Sequence, residues 1–519
     1  MKSLKYASVI LAILFSSQLA HAQALVMNAG EAYGQLVYLT ADEVKSESQK
    51  FKDLNPMSIP VFGELPVELA VVAGAITLQE QNLLSHVQLK SRARHTPNLD
   101  ISKLPDGLSN QLMSKFKDGD WVYMLLDRNG TIVLEPSTQE KAIAFLKSKT
   151  TEKITLKSDL SSKKIYASSE VRWYDFDKVG SKAANYSELE LALNTPDRIV
   201  VRPGFAVPFY YYQQFIDANP EIKTAIEKLL QDPLLNRVTA VSYRAQKLDA
   251  LRTMITNSKN NMNEELVKNL VNTFETVRTK DGKPRKLKIR SSTNAEDLPN
   301  FNGAGLYSSK TYKPVDKKAE LSFEAKKATL KEAMLLVWSS IWNMKAYEER
   351  SYFNIPHAEV KMGIQVKQSF SSEEVDGVMV TKNIANDPKF PGPGVYFEAQ
   401  RGDNFSVANP KPGEKAEKVL VLYNPAAPQD KTQYKIHILQ RCNVADDKKT
   451  ILPAGNPNPI MTDSEIRDLV SLALKAQLHF ETSLGKGNPN FALDLEFKVD
   501  MEDSDTRQVY FEQARPYIE

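Results

Sequence analysis

A single cysteine, Cys442, stands in 519 residues, so no disulfide can form within the chain. Its stability must come from buried apolar surface, and the lone thiol is expected as a small buried apolar side chain. Histidine is also scarce, with six residues, and no Cys/His spacing matches a zinc site. An excess of one charge is missing too. Lys and Arg number 67 against 64 Asp and Glu, leaving a formal +3. Without a concentrated basic face there is no electrostatic case for a nucleic-acid partner. Past the N-terminus no apolar run approaches the roughly 20 residues that cross a bilayer. Internal repeats and low-complexity tracts are absent as well.

What is present begins at the N-terminus. Lys2 and Lys5 precede an apolar run over residues 6–15, then Ser16, Ser17 and Gln18, then Ala20-His21-Ala22. That order and the two small residues match a secretory signal, with cleavage expected after Ala22. The mature chain is then expected outside the cytoplasm, periplasmic or secreted, with no membrane span. A chain of this length exceeds one ordinary core, and two domains are expected: 24–150 and 171–519, joined by a Lys/Ser/Thr-rich linker at 151–170.

The first domain reads as short strands, over 34–39 and 68–73, then a helical pattern from Leu83. Two further runs flank Asp127-Arg128-Asn129-Gly130, and Asn-Gly between such runs is a strong hairpin signal. The second domain mixes helices, over 187–193, 219–230, 263–278, 332–349 and 464–480, with strands over 287–290, 360–366, 377–380, 394–398 and 434–439. A final hairpin closes it, and the class is α+β. Trp338 and Trp342, at i and i+4 on one helix, read as core.

Two stretches carry chemistry. The run from Arg290 through Ser291, Ser292, Thr293, Asn294, Glu296 and Asp297 to Gly303 and Gly305 follows a strand and is crowded with donors. A fixed guanidinium and close backbone approach suit a polyphosphate, although Thr293-x-x-Glu296 would also serve as a helix capping box. In the final hairpin Asp494 and Glu496 fall two apart, sharing one face of a strand while Leu493 and Leu495 share the other. Gln513 and Arg515 are spaced likewise on the return strand. A carboxylate with an amide oxygen is a hard-cation donor set.

Together these runs resemble the ATP-grasp domain of phosphoenolpyruvate synthase, pyruvate phosphate dikinase and the glucan water dikinases. The resemblance extends to Val179-Gly-Ser-Lys182-Ala-Ala-Asn185, Arg202-Pro-Gly-Phe-Ala-Val-Pro208, Val337-Trp-Ser-Ser-Ile-Trp342 with Tyr347 and Arg350, Glu398-Ala-Gln-Arg-Gly402-Asp403, and Gln513-Ala-Arg-Pro516. It implies a two-lobed ATP-grasp domain in which Lys182, Arg290 and Arg515 contact phosphates. It also implies that Glu496 and Gln513 hold Mg²⁺ with Asp494 in support, and that Glu398 and Asp403 line the nucleotide. Asp403 stands where the family usually has glutamate.

Ahead of it, Ser85-His86 with Arg92 and Pro97, behind Gly74-Ala-Ile-Thr77, is similar to the swivelling β/α phosphohistidine domain of the same enzymes. Gly30-Glu-Ala-Tyr-Gly34 is similar to that domain's entry turn. Gly-Ala replaces the usual Gly-Gly, and the segment after Pro97 is polar where relatives are apolar. The resemblance implies an exported dikinase-type phosphotransferase that phosphorylates His86 from ATP, with catalytic roles for His86, Arg290 and Arg515. This domain order is that of the glucan dikinases, and no pyruvate-binding barrel is recognisable. The expected acceptor is therefore a glucan or other polysaccharide hydroxyl rather than pyruvate. The alternative is a nucleotide-binding or sensing protein of the same fold without turnover, prompted by the scarcity of ATP outside the cytoplasm.

Overall fold

The computed structural model describes residues 24–517 apart from 150–152, 297, 299, 300, 302, 304, 317, 318, 372, 403, 404, 406, 408–412 and 454. The expected signal segment and Asp403 therefore lie outside the described residues. The chain folds as two units, Met1–Thr150 and Thr151–Glu519.

The first unit is built on strands β1 (Leu25–Asn28), β2 (Gly30–Leu39), β3 (Ser58–Phe62), β4 (Ala75–Thr77), β5 (Asn98–Asp100), β6 (Trp121–Leu126) and β7 (Ile132–Pro136). They form one sheet in the order β1-β5-β4-β3-β2-β6-β7. Strands β2, β3, β4 and β5 run parallel, and the flanking pairs are antiparallel. Parallel neighbours need crossovers. Helices α1 (Ala41–Lys45) and α2 (Gln49–Lys52) lie between β2 and β3, and α3 (His86–Ala93) lies between β4 and β5. Helix α4 (Gln139–Ser148) follows β7.

The β6–β7 hairpin turns where the sequence placed it, with Gly130 at φ +85° completing the turn. The run at 68–73 is not a strand. It is an irregular buried crossing in which Leu69, Val71 and Val72 fill the core. The Arg94 guanidinium donates to the carbonyls of Leu69 and Ala70 at 3.0 and 2.6 Å, taking the place of a ladder. An apolar run reads the same in either state, because periodicity reports burial and not pairing.

The second unit carries two larger sheets. Strands β8 (Tyr166–Ala167), β9 (Phe205–Val207), β10 (Leu287–Thr293), β11 (Ser309–Tyr312) and β14 (Met362–Gln368) form the first, in the order β11-β10-β14-β9-β8. A small ribbon pairs β12 (Val315–Asp316) with β13 (Ala319–Glu320). Strands β15 (Val375–Val380), β16 (Gly394–Arg401), β17 (Glu417–Leu422), β18 (Lys435–Gln440), β19 (Leu493–Asp500) and β20 (Gln508–Pro516) form the second, in the order β18-β17-β16-β15-β19-β20. The helices are α5 (Phe176–Val179), α6 (Ser181–Leu193), α7 (Phe209–Asp217), α8 (Pro220–Gln231), α9 (Val241–Asn257), α10 (Glu264–Phe274), α11 (Phe323–Ser339), α12 (Met344–Tyr352) and α13 (Asp463–Glu481).

Each sheet has its own core. Leu287, Ile289, Ile364 and Val366 bury against α9, α10 and α11 residues, while Leu493, Leu495, Phe497 and Val499 bury with Val470, Ala473 and other α13 residues. The opposite face of the first sheet carries Lys288, Arg290 and Lys367, and that of the second carries Asp494, Glu496 and Lys498 beside Val378, Val380 and Leu420. This is the α+β, two-lobed architecture expected of the ATP-grasp fold. Residues 332–349 are not one helix, because the chain breaks at Asn343 (φ −58°, ψ 138°), whose side chain donates to the Leu306 carbonyl at 3.0 Å. Trp338 and Trp342 are core, as expected. Along residues 153–165 the chain lies on this unit, with Ile154, Leu156 and Ile165 packed against its first core.

Candidate functional site

One wall of the site is built where α6 meets β10. Helix α6 opens on Gly180, whose φ is +89° and where a Cβ would sit 2.3–2.4 Å from Ser292 atoms. Only glycine tolerates both conditions. That close approach lets the Ala183 amide donate to Ser292 Oγ (2.9 Å) and Ser181 Oγ donate to the Glu296 carbonyl (2.8 Å). Lys182 is thereby fixed, donating to Glu296 Oε1 at 2.8 Å and to Ser291 Oγ at 3.1 Å. The other Glu296 oxygen accepts from the Thr293 amide at 3.0 Å. The expected capping box is therefore half made and starts no helix; Glu296 instead anchors the lysine.

The other wall is the final hairpin. Alternation places Asp494, Glu496 and Lys498 on the face away from the core, as the sequence predicts for the two carboxylates. Glu496 pairs in register with Gln513, and Asp494 with Arg515. The Arg515 guanidinium donates to Asp494 Oδ2 at 2.8 Å. Arg290, on β10 of the opposite sheet, reaches across to donate to Gln513 Oε1 at 2.9 Å, with Glu496 at 3.9 Å. Lys182, Arg290, Asp494, Glu496, Gln513 and Arg515 are thus gathered in one cleft between two sheets. Glu398 is fully buried on β16 and accepts from Tyr396 Oη at 2.7 Å. In register, Glu398 and Glu496 both pair with Val378 of β15, which puts Glu398 two strands from the Glu496–Gln513 pair.

Sequence reasoning missed a second crossing between the sheets. The β19–β20 ladder shifts register between Glu496 and Phe497. Phe511 still faces Phe497 and Gln513 still faces Glu496, so Glu512 is the extra residue of a bulge. It forms a buried ion pair with Lys367 of β14. Alternation along the run Met362–Gln368 would have shown Lys367 on the polar face, but nothing in the sequence announces a bulge.

These charges set each other. Burial raises the Glu496 carboxyl, but the opposing field of Arg290, Arg515, Lys367 and Lys182 is stronger and drags it down to about 2. Its side chain keeps about a third of its surface open at the floor of the cleft. Asp494 moves the other way, raised by burial against the pull of Arg515. Burial pushes the Lys367 ammonium down to about 8, against Glu512. Lys288 is lowered as well, by burial and then by Arg290. The site thus presents fixed cations around one firmly ionised carboxylate, an arrangement suited to a polyanion and a hard cation. Among the described residues no group of three or more His, Cys, Asp or Glu could hold a metal ion.

The family model for the AMP/ATP-binding domain of pyruvate phosphate dikinase matches residues 176–519. The chain belongs to this family. No curated protein matches the chain in the comparison made. The match covers both walls described above. The first unit lies outside the match.

In that first unit, His86 is the first residue of α3, beyond the carboxyl end of the parallel strand β4. Ser85 caps the helix, its Oγ accepting from the Gln88 amide at 3.3 Å. A buried amide network holds the segment that precedes the histidine. Gln81 donates to Thr77 Oγ1 and to Asn98 Oδ1 at 2.9 Å each, and Asn98 donates to Gln88 Oε1 at 3.0 Å. Arg92 lies on the same helix, half-buried. None of the network's amides was singled out by sequence. Glutamine and asparagine are mostly exposed residues, and only the fold shows that these are not.

Proposed function

We propose that this protein is an exported, ATP-dependent phosphotransferase of the dikinase type that charges its own His86 and passes the phosphoryl group to an acceptor. The observation that carries the reading is the convergence of Arg290, Glu496 and Gln513 from two sheets of a domain whose family binds AMP or ATP.

In this reading Lys182, Arg290 and Arg515 bind and neutralise the phosphates, and Glu398 and Asp403 line the nucleotide. Glu496 and Gln513 present oxygen donors in register with each other, which fits Mg²⁺, and Asp494 orients Arg515. Bound there, Mg²⁺ would supply charge neutralisation on the transferring group. A nitrogen of His86 attacks the β-phosphorus of ATP, the bond from that phosphorus to the α-bridging oxygen breaks, and AMP leaves. Water takes the terminal phosphoryl group as inorganic phosphate, leaving a phosphohistidine. The amides at the start of α3 and the helix dipole favour that added negative charge. A swing of the first unit would carry the loaded histidine to its acceptor. A glucan or other polysaccharide hydroxyl is the acceptor to test first.

The test is to incubate the mature chain with ATP labelled at the β or the γ position, with and without His86→Ala. The expected result is acid-labile β-label on the protein with release of AMP, both lost in the variant. Label persisting in the variant would remove His86 from the mechanism, and ADP as the only product would remove the dikinase step. Tight ATP binding with no turnover would support a sensing role instead.

A further inference from the structure

Among the cations that line the cleft are Lys182, Lys288, Arg290, Lys367, Lys498 and Arg515. Five of these have a carboxylate of their own. Lys182 holds Glu296 at 2.8 Å, Arg290 has Glu496 at 3.9 Å, and Arg515 holds Asp494 at 2.8 Å. Lys367 is paired with Glu512, and Lys498 with Glu373 and Asp376. Lys288 has no ion-pair partner among the described residues.

Its position makes the omission costly. Leu287 and Ile289 point into the core, so Lys288 shares the cleft face with Arg290, two residues on. In the antiparallel ladder it lies directly opposite Lys367. Like charges facing each other across adjacent strands repel. Lys498 adds a third cation to its surroundings. The acids whose field reaches it, Glu512 and Glu373, are the partners of Lys367 and Lys498. A half-buried ammonium between other cations is an arrangement that an apolar residue of similar length would relieve.

We propose that Lys288 is a phosphate-binding residue of the nucleotide site, whose missing counter-charge is the polyphosphate of the bound nucleotide. The assignment rests on the nucleotide-binding reading of the cleft. An ammonium has three donors and no acceptor, so it suits a cluster of anionic oxygens. Bound phosphate would offset the repulsion from Lys367 and Arg290 and give Lys288 a counter-charge. Lys288 would then add a cation to Lys182, Arg290 and Arg515.

The test measures ATP binding, and inorganic tripolyphosphate binding by competition with ATP, on the full chain. It compares wild type, Lys288→Met and Lys288→Arg, with urea unfolding of each. The methionine variant is expected to weaken both ligands by about the same factor, on the order of tenfold, with the loss narrowing as salt rises. Its urea midpoint should equal or exceed that of wild type, because the repulsion is gone. The arginine variant should recover most of the affinity. An ATP affinity within twofold of wild type for Lys288→Met would overturn the proposal. So would a loss for ATP that spares tripolyphosphate, or a methionine variant that is less stable and not rescued by arginine. A wild-type chain that binds neither ligand would instead dismiss the nucleotide reading, and this assignment with it.

Discussion

At the scale of single residues, the cleft is a set of charges that are expensive to separate. Removing one partner of a buried ion pair leaves the other uncompensated, at about 3–5 kcal/mol, whereas replacing both by apolar groups is often close to neutral. Lys367→Met and Glu512→Leu should each be strongly destabilising, and the double variant should lose much less than their sum in urea unfolding. The sign with pH follows from the lowered Lys367. Its folded value of about 8 lies below the usual 10.5, so between those values the unfolded chain binds more protons than the folded one. Stability of wild type relative to Lys367→Met should therefore rise as pH rises from about 8 to 10. Glu496 is opposite in kind. Burial opposes its ionisation, but the surrounding cations prevail and hold it at about 2, so its contribution is present above the ordinary carboxyl range and is lost as pH falls toward 2. At neutral pH it is a full anion, and Glu496→Gln should cut ATP turnover by about 10²–10³-fold while the chain still folds. Steady-state AMP release measures the loss.

At the scale of elements, both candidate centres depend on how a helix begins. Helix α6 can start against β10 only because Gly180 has no side chain and a positive φ. Gly180→Ala would impose a left-handed conformation on alanine and drive its Cβ into Ser292. We expect about 2–4 kcal/mol of destabilisation, and weaker ATP binding because Lys182 and its seat on Glu296 and Ser291 shift with the helix. Chemical denaturation and binding on the same samples would separate the two effects. At α3 the anchor is gentler. Ser85→Ala removes the bond to the Gln88 amide and should cost about 1 kcal/mol, while the amide network of Gln81, Asn98 and Gln88 keeps the segment in place. A larger loss would mean that the cap, and not the network, holds His86.

At the scale of the whole molecule, each unit carries its own hydrophobic cores. Separately produced segments covering 24–149 and 153–519 should each fold cooperatively, and the second should bind ATP without acquiring protein-bound phosphate. Mixing the two and looking for β-label on the first tests whether the histidine unit is a mobile carrier. If residues 1–22 are a cleaved signal, mass spectrometry of the exported protein should find an N-terminus at Gln23.

The amino-acid order alone determined a good part of this. Period-two alternation in 493–499 gave the strand and the shared face of Asp494 and Glu496, because a pleated strand leaves no other choice. Asn-Gly fixed the β6–β7 turn, and the motif set from Lys182 to Arg515 led to the family. Other features existed only in three dimensions. The bulge that frees Glu512, the break at Asn343 and the irregular crossing at 68–73 each depend on a distant partner: Lys367, the Leu306 carbonyl and Arg94. Lys288 shows the difference most plainly. In the sequence it is one more lysine on a strand. Only the pairing of β10 with β14 sets it opposite Lys367, because the energy of a charge depends on its neighbours in space.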